Sequence, residues 1–259
     1  MDENITQHFR PDEAPFIDAI TGWLQQVQDE YRPVLTHFLN PRQVYIATTL
    51  ARHADIPVQF SGGHAHAEMQ RALFYPEYYT PEAKDFELTL MQVDYPVKFA
   101  TLHHSQILGT LLGSGIEREI LGDILTDGEV WQVVTETSMV DYLTSQVDRI
   151  GRVKARLKLG DWTQLVQPLN EWESESATLS SLRLDNIVGT GFHLSRHRAK
   201  ELIEGGHVRL NWADTLKPDY ELDVADIVSV RGFGRIRLDE VAGRTKKEKI
   251  RVTLAVLKK

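Results

Sequence analysis

The 259-residue chain contains no cysteine. That excludes disulfides, a thiolate nucleophile and any zinc or iron–sulfur site built on thiolates. Long apolar runs are also missing, and nothing approaches the roughly 18 residues of a membrane span. Met1-Asp2-Glu3-Asn4 is acidic and carries neither the basic nor the apolar region of a secretory leader. A cytoplasmic protein without a membrane partner is therefore expected. There is no fixed-period repeat and no low-complexity tract. What is present is ordinary for packed domains, with 42% hydrophobic and 25% charged residues. At about 100–200 residues per domain the length suggests two domains, or three small ones.

The formal net charge of −8 argues, taken whole, against a polyanion partner. Its distribution argues the other way. Residues 181–259 hold 16 Lys and Arg against 11 Asp and Glu, a net of +5; residues 1–180 hold 13 against 26, a net of −13. A basic end on an acidic remainder suits a module drawn to phosphate. A protein partner at the acidic N-terminal half is compatible with it.

The patterning predicts an α+β protein. Residues 1–82 read as a mainly helical α/β domain. Phe16, Ile20, Trp23, Leu24 and Val27 recur at helical spacing over residues 15–31, with Asp12 as expected cap and Pro33 as exit. A second helix is expected from Pro41 behind an Asn40 cap. Residues 58–60 read as a strand and 67–74 as a short helix. Residues 83–160 read as strands at 86–93, 123–126, 130–134 and 153–159, with helices at 103–112 and 138–149. Asp127-Gly128 is a strong hairpin turn signal. The order βαββαβ is the ferredoxin-like arrangement, which by itself decides no function. Residues 161–180 lose periodicity, contain Pro168 and the polar run 171–176, and read as a linker.

Residues 181–259 read as two short helices followed by small strands. Arg183-Leu184-Asp185 opens the first helix, and Ser195 caps the second, over 196–204. Arg196 and Lys200, four apart, leave one side of it. Strands are expected at 207–211 and 226–231. The helix starts, ringed by Arg196, Lys200 and Arg209, would present unpaired N–H groups to a phosphate.

Arg183–Val188, Ser195-Arg196, Ala199, Leu202-Ile203, Gly206, Val208, Asn211 and Asp226-Ile227-Val228 with Val230 resemble the S4 RNA-binding module. Ala225 departs from it where a glycine is usual, which predicts strain at a positive φ. Trp212 departs where glycine is common. Nearly the whole chain is similar to the YlmH family of bacterial S4 proteins. That similarity is carried by Leu73-Phe74-Tyr75-Pro76, Ile107-Leu108-Gly109, Gly115-Ile116-Glu117-Arg118, Gly122-Asp123-Ile124-Leu125, Phe233-Gly234-Arg235 and the tail Thr245–Lys249. The resemblance implies a C-terminal S4 domain and an RNA-binding-like middle domain. It also implies binding to rRNA of the large (50S) ribosomal subunit, with tRNA as a second RNA, in ribosome-associated quality control. The family is further linked to cell division.

On this reading the RNA contacts are Arg183, Ser195, Arg196, Lys200, Arg209, Asn211, Lys217, Arg231, Arg235, Lys246 and Lys247. No catalytic residue, metal or cofactor is expected. His64 with His66, and His103-His104, lack the three or four convergent ligands that zinc needs. Ser61-Gly62-Gly63 and residues 113–115 lack the lysine and spacing of a P-loop. Trp162 and Trp172 read as anchors before base stackers. The competing class is an RNA-modifying enzyme that uses S4 for delivery. A methyltransferase needs a Gly-rich turn after its first strand, and no G-x-G-x-x-G occurs. A pseudouridine synthase needs a large β-rich domain, for which residues 1–180 offer neither length nor motif.

Overall fold

A computed structural model describes residues 9–167 and 172–258. Met1–Asn4, Pro168 and Glu171, on which expectations above rest, lie outside the described residues. The chain divides into two compact units, Met1–Leu169 and Asn170–Lys259.

The first unit opens with helix α1, Ala14–Glu30, which buries Ile17, Ile20, Leu24 and Val27. Asp12 is not its cap. It lies in a 3-10 turn, Pro11–Glu13, where Glu13 bonds back to the Arg10 backbone and side chain. Strand β1, Val34–Leu39, follows Pro33 and had no sequence signal of its own. Helix α2, Pro41–His53, starts as expected: Asn40 accepts from the Gln43 N–H while Gln43 reaches back to Asn40 N–H. Strands β2, Val58–Ser61, and β3, Gln70–Phe74, complete an antiparallel sheet in the order β1-β3-β2. Of the expected helix at 67–74, residues 70–74 are instead a central strand. Gln70-Arg71-Ala72-Leu73-Phe74 shows no clean period of two, because Arg71 is buried along with Ala72, Leu73 and Phe74, and pairing on both edges decides here.

The same unit continues with β4 (Leu88–Asp94), α3 (His104–Gly113), β5 (Leu121–Thr126), β6 (Trp131–Glu136) and α4 (Val140–Gln146). A two-residue pair, β7 (Arg149–Ile150) and β8 (Val153–Lys154), precedes β9 (Arg156–Leu159). The sheet order β5-β6-β4-β9, antiparallel throughout, is the expected ferredoxin-like one. Asp127 carries the hairpin turn by accepting from the Glu129 and Val130 N–H groups. Helix α4 is shorter than 138–149, because the chain leaves it at Val147 to form β7.

A polar seam joins the two sheets of this unit. Arg71, 5% exposed, donates to Thr36 and Phe86 carbonyls, and Glu136 accepts from His37 at 2.7 Å. Asp123 on β5 accepts from the backbone N–H groups of Glu68 and Met69. Trp162 packs over Gly63, where an added Cβ would come within 2.3 Å of the indole; it is an anchor.

The second unit contains β10 (Glu173–Leu179), α5 (Leu184–Gly191), α6 (Arg196–Glu204), β11 (Val208–Leu210), β12 (Ala213–Asp214), β13 (Ile227–Val230), β14 (Gly234–Arg244) and β15 (Ile250–Lys258). The six strands are ordered β10-β15-β14-β13-β11-β12. Much of the expected linker is therefore strand: β10 pairs with β15 along its whole length. An edge strand of Glu, Ser and Thr shows no apolar period, since its outer side faces water. Ile187, Val188, Ala199, Leu202 and Ile203 of the helices pack on Val208, Val228, Ile236 and Leu238. The fit is close enough that a Cβ at Gly191 would meet Ile236 at 2.5 Å. Both helices cover the inner face of the sheet, leaving alternate residues of β11, β13 and β14 on the outer face.

Candidate nucleic-acid interface

Asp185 organises the helix side of the second unit. Its carboxylate is 3% exposed and accepts from Arg183 Nη2 at 3.1 Å and from Arg196 Nε at 3.1 Å. Burial opposes its charge, but the two guanidinium groups outweigh that and hold the carboxyl below its ordinary range. The cations sit further out, Arg183 33% and Arg196 61% exposed. A buried anion thus fixes two guanidinium groups whose outer edges face solvent, the geometry that suits bidentate contact with phosphate. Ser195 caps α6 by accepting from the Arg198 N–H at 3.1 Å. Lys200 lies one turn on from Arg196 and pairs with Glu204.

The start of α5 is not open to an anion as expected. Its Leu184 and Asp185 N–H groups donate to the Tyr220 and Pro218 carbonyls. The loop that supplies them carries exposed Lys217 close by. What this side can offer to an anion is therefore side chains and the first turn of α6.

The remaining expected contacts fall elsewhere. Arg209, exposed and paired with Asp214, and Arg235 lie in one cross-strand row through Ser229, on the outer face of the sheet. Arg231 is exposed at the end of β13, and Lys246 and Lys247 are exposed at the β14–β15 tip. Both polar ends of Asn211 are engaged inside the domain: its amide donates to Asp226 at 2.7 Å and its carbonyl accepts from Ile227 N–H. Arg237 and Trp212 were missed as surface partners. The alternation Arg235-Ile236-Arg237-Leu238 is the signal that places both arginines on one face. The histidines do not converge: His64 bonds Asp123 at 3.2 Å, and no cluster of His, Asp and Glu among the described residues could hold a metal ion.

Ala225 adopts φ +70°, as the glycine departure implied, and its N–H donates to Leu238. A Cβ in the left-handed region costs about 1 kcal/mol. Ala225→Gly is expected to stabilise the second unit by about that amount, less the chain entropy glycine adds on unfolding. Thermal unfolding reads the outcome directly.

Two helices on one face of a small sheet, with a cationic cluster at their ends, define the class as an S4-domain RNA-binding protein. Three families match along the chain: "YlmH, N-terminal" over residues 12–79, "Putative RNA-binding domain in YlmH" over 81–164 and "S4 domain" over 182–228. The chain is 39% identical to ribosome-associated protein quality control protein P2 of Bacillus subtilis (strain 168), over 96% of this chain and 97% of that one. A structure titled cell division protein ylmH from Streptococcus pneumoniae matches at TM-score 0.56 and 36% identity, covering 63% of this chain and 99% of that chain. Over 51 residues, 19% of this chain and 25% of the relative, it is also 43% identical to small ribosomal subunit protein uS4 of Rhodopirellula baltica. The chain belongs to the YlmH family and is a homologue of a ribosome-associated quality control protein. No helix among the described residues is long and apolar enough to cross a membrane.

Proposed function

We propose that this protein is a non-catalytic, cytoplasmic RNA-binding factor that docks on the large ribosomal subunit through its S4 domain. There it holds rRNA together with peptidyl-tRNA during quality control of stalled nascent chains. The observation that carries this reading is the Arg183–Asp185–Arg196 cluster with Lys200 one turn away. Its fixed guanidinium groups suit a sugar–phosphate strand, and the B. subtilis relative is ribosome-associated by name. The acidic first 180 residues would be repelled by RNA, so docking is expected through residues 181–259, with the acidic residues left to a protein partner.

The test is sedimentation with purified subunits across a salt series. Four or more phosphate contacts predict binding to 50S particles that falls about a hundredfold between roughly 50 and 200 mM salt. Binding to 30S particles alone, or affinity indifferent to salt, would sink the proposal. Incubation with rRNA and S-adenosylmethionine is expected to leave every nucleoside mass unchanged; a modified nucleoside would restore the enzyme reading.

A further inference from the structure

The outer face of the S4 sheet, opposite the helices, carries an array that the helix-side cluster does not use. Arg235 and Arg237 alternate along β14 with buried Ile236 and Leu238. The Arg235 guanidinium lies 5.4 Å from the Trp172 ring and 5.6 Å from the Trp212 ring, and Arg237 lies 5.2 Å from Trp172. All four side chains are half-buried, so each still meets solvent. Arg209, in the Arg235 row and paired with Asp214, continues the row toward β12. Part of this array is simple cover, since Ile227 and Ala255 beneath it are 1% and 2% exposed. Cover alone does not require tryptophan at 212, where the backbone is held at φ +68°, a costly conformation for a bulky side chain. A strained, partly exposed indole beside stacked guanidinium groups points to a ligand with a flat π surface and negative charge.

We propose that this face is a second RNA site, a platform for unpaired nucleotides. Bases stack on Trp172, Trp212 and the Arg235 plane, while Arg237 and Arg209, which are paired with Asp239 and Asp214, turn their remaining N–H groups to the intervening phosphates. The inference rests on reading the domain as an RNA binder. It adds that one domain grips two elements: a backbone at the helix side and unstacked bases at the sheet side.

The probe is an oligouridylate of about ten nucleotides, set against a fully paired RNA duplex. With the full-length chain, the oligonucleotide is expected to quench tryptophan fluorescence, and ultraviolet crosslinks are expected at Trp172 or Trp212. The W172A/W212A variant should bind the oligonucleotide at least about tenfold more weakly, and W172F/W212F should retain most of the affinity, because phenylalanine keeps a stacking face. Crosslinks found only elsewhere overturn the proposal, and that readout needs no variant to fold. Equal binding by wild type and the alanine pair also overturns it, as does a duplex bound as tightly as the single strand. Ribosome docking is read separately by sedimentation. A chain that crosslinks at these tryptophans yet ignores 50S particles would remove the proposed function and keep this site.

Discussion

Replacing Arg196 and Lys200 together by glutamine is expected to weaken binding to ribosomal particles by about ten- to a hundredfold at 0.1 M salt. Each lost charge-assisted phosphate contact is worth about 1 kcal/mol or slightly more. The slope of log affinity against log salt should also become shallower by about two, one for each contact removed. A general loss of fold would not change the slope in this way. Charge reversal would be larger in effect but harder to interpret. A carboxylate at position 196 would face Asp185, whose own carboxylate is buried and 3.1 Å from the present Arg196 Nε. With glutamine, Arg183 still neutralises Asp185, so the unfolding midpoint should move little. Unchanged sedimentation of the folded variant would mean that the helix side is not the docking surface.

The S4 fold was legible because its signals are local. Leu184, Ile187 and Val188, then Ala199, Leu202 and Ile203, announce two short helices by spacing, and Ser195 caps the second as its residue type predicts. The ferredoxin-like order was legible for the same reason, with Asp127-Gly128 marking its central hairpin. What stayed hidden depends on partners remote in sequence. Gln70–Phe74 becomes a strand because β1 and β2 flank it, and Glu173–Leu179 because β15 offers an edge. The site shows the same division. Arg183, Arg196 and Lys200 could be placed on neighbouring helices from spacing. That Arg209 and Arg235 would share the opposite face of the sheet follows from cross-strand register, which no local pattern specifies. Nor could spacing show that a distant loop at Pro218–Tyr220 closes the start of α5.

Removing the Asp185 carboxylate is expected to damage both stability and binding. Asp185→Ala would leave Arg183 and Arg196 without the buried anion that holds them side by side. Breaking a wholly buried pair costs about 3–5 kcal/mol; because both cations are partly solvated here, about 2–3 kcal/mol is expected for the second unit. The acid limb of the stability curve gives an independent check. The folded-state pKa of Asp185 is lowered, so its contribution is fully present above the ordinary carboxylate range and is lost as pH falls through the lowered value. The difference in stability between wild type and Asp185→Asn should therefore be constant near neutrality and shrink only below about pH 4. Binding supplies the second readout. With the anion gone, the two guanidinium groups repel one another and lose their common orientation, so affinity for 50S particles should fall although the domain becomes more positive. Tighter binding by a folded Asp185→Asn variant would show that net charge governs docking, and that the fixed pair of arginines does not.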